Sequence, residues 1–267
     1  MTKHCKRIAL LVLVALVVPA CGGGSDTTIV TNGALESGSL LFLTTASTLL
    51  NTSSGDPTNI LHGVAIGGLQ VGESIVAIDC RPATLRLYGL SDQFRLYTID
   101  PETGLATAVS ATPIAGLTGQ VNSLDFNPTV DRIRMVSNTG SNWRVNPDTA
   151  LVVATDTSIN PGGIEIGELA YSNNFAGAAT TTLYGIDVLG DQLVVLNPPN
   201  AGTAVPVGSL GVAAAAGLTG FDISSTGIAY LVVGTNQLSR VNLATGAATF
   251  IGLVATGSAI RSVAVIP

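Results

Sequence analysis

The chain has 267 residues, 46% of them hydrophobic, 10% charged and 4% aromatic, with 31 glycines and a formal net charge of −6. So much apolar material with so little charge excludes a disordered chain and supplies a core for one large domain or two small ones. The excess of acid argues against nucleic acid as a principal partner.

At the N-terminus, Lys3, Lys6 and Arg7 precede the apolar stretch from Ile8 to Val18. That order predicts a secretory signal peptide over residues 1–20, with an apolar run too short to cross a bilayer. Val18-Pro19-Ala20-Cys21 resembles a bacterial lipobox, which makes Cys21 the lipidated first residue of the mature protein. Pro19 departs from the small or apolar residue usual there, and an ordinary signal peptide ending near a cysteine is the alternative. Gly22-Gly23-Gly24-Ser25 opens a Gly/Ser/Thr-bearing tether over 21–38, as a lipid anchor requires. By analogy with lipoproteins, Gly22 after the cysteine predicts the outer membrane, with the domain facing the periplasm or the cell surface. Loss of the leader leaves eight arginines, no lysine and seventeen acids, a net charge of −9. Cys5 leaves with the leader and Cys21 carries lipid, so Cys80 has no disulfide partner and reads as a small buried hydrophobe.

Residues 39–267 carry a repeat. Asp100-Pro101-Glu102-Thr103-Gly104, Asn146-Pro147-Asp148-Thr149-Ala150, Asn197-Pro198-Pro199-Asn200-Ala201-Gly202 and Asn242-Leu243-Ala244-Thr245-Gly246 follow one another at intervals of 46, 51 and 45 residues. A poorer copy is Gly55-Asp56-Pro57-Thr58. Each has the composition of a hairpin turn, in which Asp or Asn bonds nearby backbone, Pro fixes φ and Gly supplies a positive φ. Around the turns, four short strands recur per unit. A first strand such as Ile75–Asp79, Ser123–Phe126 or Gly220–Ile223 often ends near an aspartate, and a second follows at Leu85–Leu90, Arg132–Val136, Leu183–Ile186 or Ala229–Val233. A third leads into the turn and a fourth leaves it, as in Gln237–Val241 and Ala248–Ile251. Four strands every 45 residues or so describe the blade of a β-propeller. The last strand, Ser262–Ile266, stands alone, and Leu40–Leu43, Ser47–Leu50 and Leu61–Ala65 are available to complete its blade and close the ring. The expected fold is therefore all-β, a single propeller of five four-stranded blades. Six blades remain open if residues 44–74 hide further strands, and a pair of β-sandwiches is the competing architecture.

The ordered motifs Leu87-Tyr88-Gly89-Leu90, Tyr97 to Ala106, Asp125-Phe126-Asn127-Pro128 through Arg134, and Asn142-Trp143-Arg144-Val145-Asn146-Pro147-Asp148-Thr149 resemble the bacterial family described as domain of unknown function 4394. The likeness runs over roughly residues 70–267. It implies an exported protein with a propeller-like β fold and brings no catalytic residues with it.

His62 is the one histidine left after the leader, too few for a multi-histidine metal site, and it reads as a hydrogen-bonded structural residue. There is no Gly-x-Ser-x-Gly elbow, nucleotide-binding fingerprint or Cys-x-x-Cys pair. Asp79, Asp125 and Asp222 stand at equivalent inner-strand positions, which converge at the centre of a propeller. There they would bind calcium or a cationic ligand, or else each accepts backbone hydrogen bonds where its strand turns. Glu165 and Glu168, also near an inner strand, either contribute to such a site or, the favoured reading, lie in a solvated loop. Arg86, Arg95, Arg132, Arg134, Arg144 and Arg240 mostly alternate with apolar residues and read as an outer face or as partners of Asp between blades, in preference to an anion site. Two functions fit: a non-enzymatic envelope binding or scaffold protein holding a protein, glycan or small ligand, and a calcium-assisted hydrolase or lactonase working through Asp79, Asp125 and Asp222.

Overall fold

Among the described residues, short apolar runs broken by Asn, Asp, Pro and Gly give twenty strands and one short 3-10 turn. The computed structural model describes residues 38–53 and 56–267. The expected signal peptide, Cys21 and all but the last residue of the tether lie outside the described residues.

Blade 1 is made of β1 (Leu40–Thr44), β2 (Thr48–Thr52) and β3 (Ile60–Ala65) together with the C-terminal β20 (Ile260–Val265). Blade 2 comprises β4 (Ile75–Arg81), β5 (Arg86–Ser91), β6 (Leu96–Ile99) and β7 (Ala106–Ala108). Blade 3 comprises β8 (Val121–Asn127), β9 (Arg132–Ser137), β10 (Asn142–Asn146) and β11 (Leu151–Asp156). Blade 4 comprises β12 (Ile166–Tyr171), β13 (Leu183–Asp187), β14 (Gln192–Leu196) and β15 (Ala204–Ser209). Blade 5 comprises β16 (Gly220–Ile223), β17 (Ala229–Val233), β18 (Gln237–Val241) and β19 (Ala248–Leu253). All pairings are antiparallel, and the inner strands β20, β4, β8, β12 and β16 touch in a closed ring. The fold is a five-bladed β-propeller. Residues 44–74 contribute only β2 and β3 to the described structure, which removes the six-bladed alternative, and the ring removes the paired sandwiches.

Ring closure is the predicted one: Leu41 pairs with Ala264 and Phe42 with Val263, so the two ends of the chain share one sheet. In blade 4 the fourth strand is β15, and its Pro206 is tolerated because an outer edge needs no donor on its free side. The third-to-fourth-strand turns follow their composition. Asp100 Oδ1 accepts the N–H groups of Glu102 and Thr103, both at 2.9 Å, and Gly104, at φ 70, donates to the Asp100 carbonyl.

The core lies between blades rather than within them, because each sheet buries both faces against its neighbours. Between blades 2 and 3, Tyr88 and Leu90 pack on Leu124, Phe126 and Met135, with the Tyr88 and Phe126 rings edge to face at 5.0 Å. Between blades 3 and 4, Val136 packs with Leu169, Tyr171 and Leu183. Inner strands are buried along nearly their whole length, while outer strands such as β11 alternate between exposed and half-buried residues.

Candidate functional site

Two polar clusters stand out, one on the axis and one between blades 3 and 4. The axis is set by register. Ala77, Ser123, Glu168 and Ser262 follow bulges in β4, β8, β12 and β20, and the next same-facing positions are Asp79, Asp125, Ala170 and Ala264. In β16 the corresponding pair is Gly220 and Asp222. Gly220 fits because a Cβ there would meet the β20 backbone at 2.8 Å.

The structure brings the three predicted aspartates together: one carboxylate oxygen of each lies within 4.8 Å of the other two. They do not cap turns. Each reaches across to the next blade, Asp79 accepting the N–H of Phe126 at 2.8 Å, Asp125 that of Tyr171 at 2.9 Å and Asp222 that of Val265 at 2.5 Å. Asp79 and Asp222 also accept the N–H of their own following residues, Cys80 and Ile223, both at 2.6 Å. The aspartates are staples between neighbouring inner strands.

Glu168 does not lie in a solvated loop, the favoured of its two sequence readings, but in a buried strand. It is 1% exposed on β12, and neither carboxylate oxygen has a hydrogen-bond partner. The N–H groups of Leu169 and Leu124 are near enough to favour its charged form but lack hydrogen-bond geometry. Burial pushes the Asp79, Asp125 and Glu168 carboxyls well above the ordinary carboxylate range, and repulsion among the axial acids adds to it. Burial pushes Asp222 up to about 7. Glu165 is half-buried outside the cluster, its N–H donating to Asp187. The axial acids line none of the four main clefts.

The other flagged residues are structural. Cys80 is buried, and its thiol is pushed up by burial first and by Asp79 and Asp222 second. His62 Nε2 meets the Glu102 carbonyl at 3.0 Å on the next blade. Arg95 binds Glu73 at 3.0 Å and the Ala111 carbonyl at 2.6 Å.

The second cluster holds Arg134 and Arg144, for which an anion site is the less favoured sequence reading. A cleft of about 430 Å³ opens between blades 3 and 4, lined by Asn127, Arg134 and Arg144 on one side and by Tyr171, residues 179–181 and Asn200 on the other. Arg134, nearly fully buried, donates Nε to the Tyr171 hydroxyl at 2.8 Å and Nη1 to Asn142 at 2.6 Å and Asp156 at 3.1 Å. Its Nη2 donates to Asn200 Oδ1 at 2.6 Å. Arg144 holds the same Asp156 in a bidentate pair through Nε and Nη2, at 2.8 and 2.9 Å. Two guanidiniums thus share one carboxylate, and the cleft is cationic in an acidic chain. Alternation with apolar residues favours a surface or pairing role for Arg134. The signal was in the repeat, where Arg134 takes the register position held by Tyr88, Tyr184 and Tyr230 in blades 2, 4 and 5.

Fold and site define a five-bladed propeller with an acidic axis and a basic inter-blade cleft. The chain belongs to the family described as domain of unknown function DUF4394, whose profile matches residues 48–264. No curated protein matches it in sequence. Among solved structures it is similar to a protein of unknown function from Bacteroides thetaiotaomicron VPI-5482, with 16% identity over 85% of this chain and a TM-score of 0.56. It spans 58% of that protein's length. It also aligns with a chain of a nidogen/laminin complex at 11% identity, covering 86% of this chain and 98% of that one with a TM-score of 0.46.

Proposed function

We propose that this chain is a non-enzymatic binding propeller of the bacterial envelope that takes a small anion into the cleft between blades 3 and 4. The observation that carries the reading is the charge of that cleft, in which Arg134 and Arg144 share Asp156. The bidentate pair uses Nε and Nη2 of Arg144 and leaves Nη1 for a ligand, and that side chain is 34% exposed. The Tyr171 hydroxyl accepts from Arg134 and keeps its own proton to donate. Charge-assisted donors of this kind suit a carboxylate or phosphate group.

Thermal unfolding with citrate, phosphate or sulfate titrated in tests it, since a ligand of the native state raises the midpoint by mass action. A rise that disappears in Arg144→Gln supports the reading. No rise with any of the three, or an equal rise in the variant, overturns it. The lipobox-like Val18 to Cys21 supports display on a lipid anchor. Fatty-acid labelling that is lost in Cys21→Ser tests that part, and labelling that persists in the variant removes the anchor.

A further inference from the structure

The axis holds four carboxyl groups and no compensating cation. Asp79, Asp125, Asp222 and Glu168 are each only 1–3% exposed. Every ion pair among the described residues involves other acids: Asp131, Asp148, Glu73 and Asp156. Buried charge without a partner is among the most costly features a fold can carry, so the cluster needs a counter-charge, either bound protons or a metal ion.

Two independent features favour a metal. The first is spacing. Calcium takes oxygen ligands at about 2.3–2.6 Å, which puts oxygens on opposite sides of one ion about 5 Å apart. The aspartate oxygens lie within 4.8 Å of one another, on strands from blades 2, 3 and 5. The second is Glu168. It sits in blade 4, the one blade among these four that lacks the aspartate, and both its oxygens are buried without a partner. It is not a staple, because it holds no N–H group. A carboxylate buried at the axis, with only the poorly aligned N–H groups of Leu169 and Leu124 beside it, leaves its lone pairs to something that is neither backbone nor side chain.

We propose that the propeller axis is a binding site for one calcium-sized divalent cation, with Asp79, Asp125 and Asp222 as direct oxygen ligands and Glu168 completing the shell through a water molecule. The donor set is all oxygen, as hard cations prefer. The backbone N–H groups that each aspartate accepts hold the carboxylates in place without using every lone pair. The ion ties four of the five blades to a single point, and its role is to lock the ring rather than to react with substrate. This inference is independent of the anion cleft.

The test uses purified protein prepared without chelator, with metal content read by mass spectrometry and thermal unfolding measured in EDTA and with calcium restored. About one calcium per chain is expected, with a midpoint that falls in EDTA and recovers with added calcium. Because Asp79→Ala or Asp125→Ala would also break staples, the decisive variant is Glu168→Gln, which removes no hydrogen bond. It should keep the fold and need about ten- to a hundredfold more calcium for the same recovery, as loss of an outer-shell ligand does. Protein that carries no divalent metal and unfolds identically in EDTA and calcium overturns the proposal and leaves the axis neutralised by protons. A calcium titration unchanged in Glu168→Gln also overturns it, because the ion then sits elsewhere.

Discussion

The junction between blades 2 and 3 and the junction between blades 3 and 4 are built from the same parts, yet one is plugged and the other open. Both are stapled at the axis in the same way, by Asp79 to Phe126 and by Asp125 to Tyr171. Both have the first-to-second and third-to-fourth strand turns of the following blade hanging over them. At the first junction Arg81, at the end of β4, spans the gap and binds Asp131 at 2.8 Å and Asp148 at 2.6 Å, one from each overhanging turn. At the second, the residue in the same register is Asn127, whose side chain bonds its own turn at Thr129 and Val130, and the equivalent turns line the cleft with residues 179–181 and Asn200. The plug at one junction is thus a long side chain with an acid in each overhanging turn, and the cleft at the other is the same register without them.

The largest effects should come from what the two junctions share. In EDTA, Asp79→Ala strands the buried N–H groups of Cys80 and Phe126, and at about 1–3 kcal/mol for each unsatisfied group the loss is about 2–6 kcal/mol. Asp125→Ala strands only that of Tyr171 and should lose about half as much. Urea unfolding gives both values. Because Tyr171 also faces the cleft, Asp125→Ala should weaken citrate binding as well, whereas Asp79→Ala should not. If both variants weakened citrate alike, the two junctions would not be separable and the comparison would fail.

Next in size is the plug. Arg81→Ala removes a nearly buried guanidinium that holds two carboxylates and the Tyr88 hydroxyl, and the expected loss is about 2–3 kcal/mol. The loss is limited because Asp148 is 63% exposed and Asp131 36%, so both acids can return to water. A loss above about 5 kcal/mol would mean that the seam is doing more than joining two turns.

The axis and the plug should respond to pH in opposite directions. Arg81 holds Asp148 below the ordinary carboxylate range, so its contribution is present above about pH 4 and fades as pH falls through its folded value. Asp222 is pushed up to about 7 by burial, and Asp79, Asp125 and Glu168 around it are raised too, with the buried Cys80 thiol beside them neutral. A raised acid binds its proton more tightly folded than unfolded. Without metal, the axial contribution is therefore complete below about pH 4 and is lost as pH rises through 7. Urea unfolding in EDTA at pH 5 and pH 8 should show the wild type weaker at pH 8, and a flat profile would remove the acidic axis as a source of pH dependence.

Much of this was legible before the structure. The 45-residue spacing of the Asp/Asn turns and the lone C-terminal strand gave blade number and closure, because turn chemistry and strand alternation are local. The convergence of Asp79, Asp125 and Asp222 was also readable, since a repeat puts equivalent residues at equivalent radii. What escaped was the set of departures from the repeat. Glu168 replaces the missing aspartate two residues early, a shift that depends on the bulge between Ile166 and Glu168. Arg134 occupies a tyrosine position, and the 51-residue interval between two turns reflects the longer connection 172–182, which reaches over the cleft. These were visible as irregularities, but their meaning depends on which blades face each other across a junction, and spacing within one unit does not carry that.

The smallest stability effect belongs to the substitution that tests the comparison most directly. Asn127→Arg puts an Arg81-like side chain at the open junction. The cleft has room for it, and its backbone position is the register equivalent of Arg81 at the end of an inner strand. Unlike Arg81, it would meet no aspartate in the overhanging turns, only the Asn200 amide and the hydroxyls of Thr180 and Thr181, with the like charges of Arg134 and Arg144 nearby. The gain of hydrogen bonds and the repulsion should nearly cancel, leaving a change within about 1 kcal/mol of wild type. Citrate binding should nonetheless be lost, because the new side chain fills the space the anion needs. Adding Asn200→Asp supplies the missing partner and should raise stability above that of Asn127→Arg alone, by a coupling that a double-mutant cycle reads directly. If Asn127→Arg leaves citrate affinity unchanged, the ligand does not occupy this cleft, and the difference between plugged and open junctions is structural variation without a binding role.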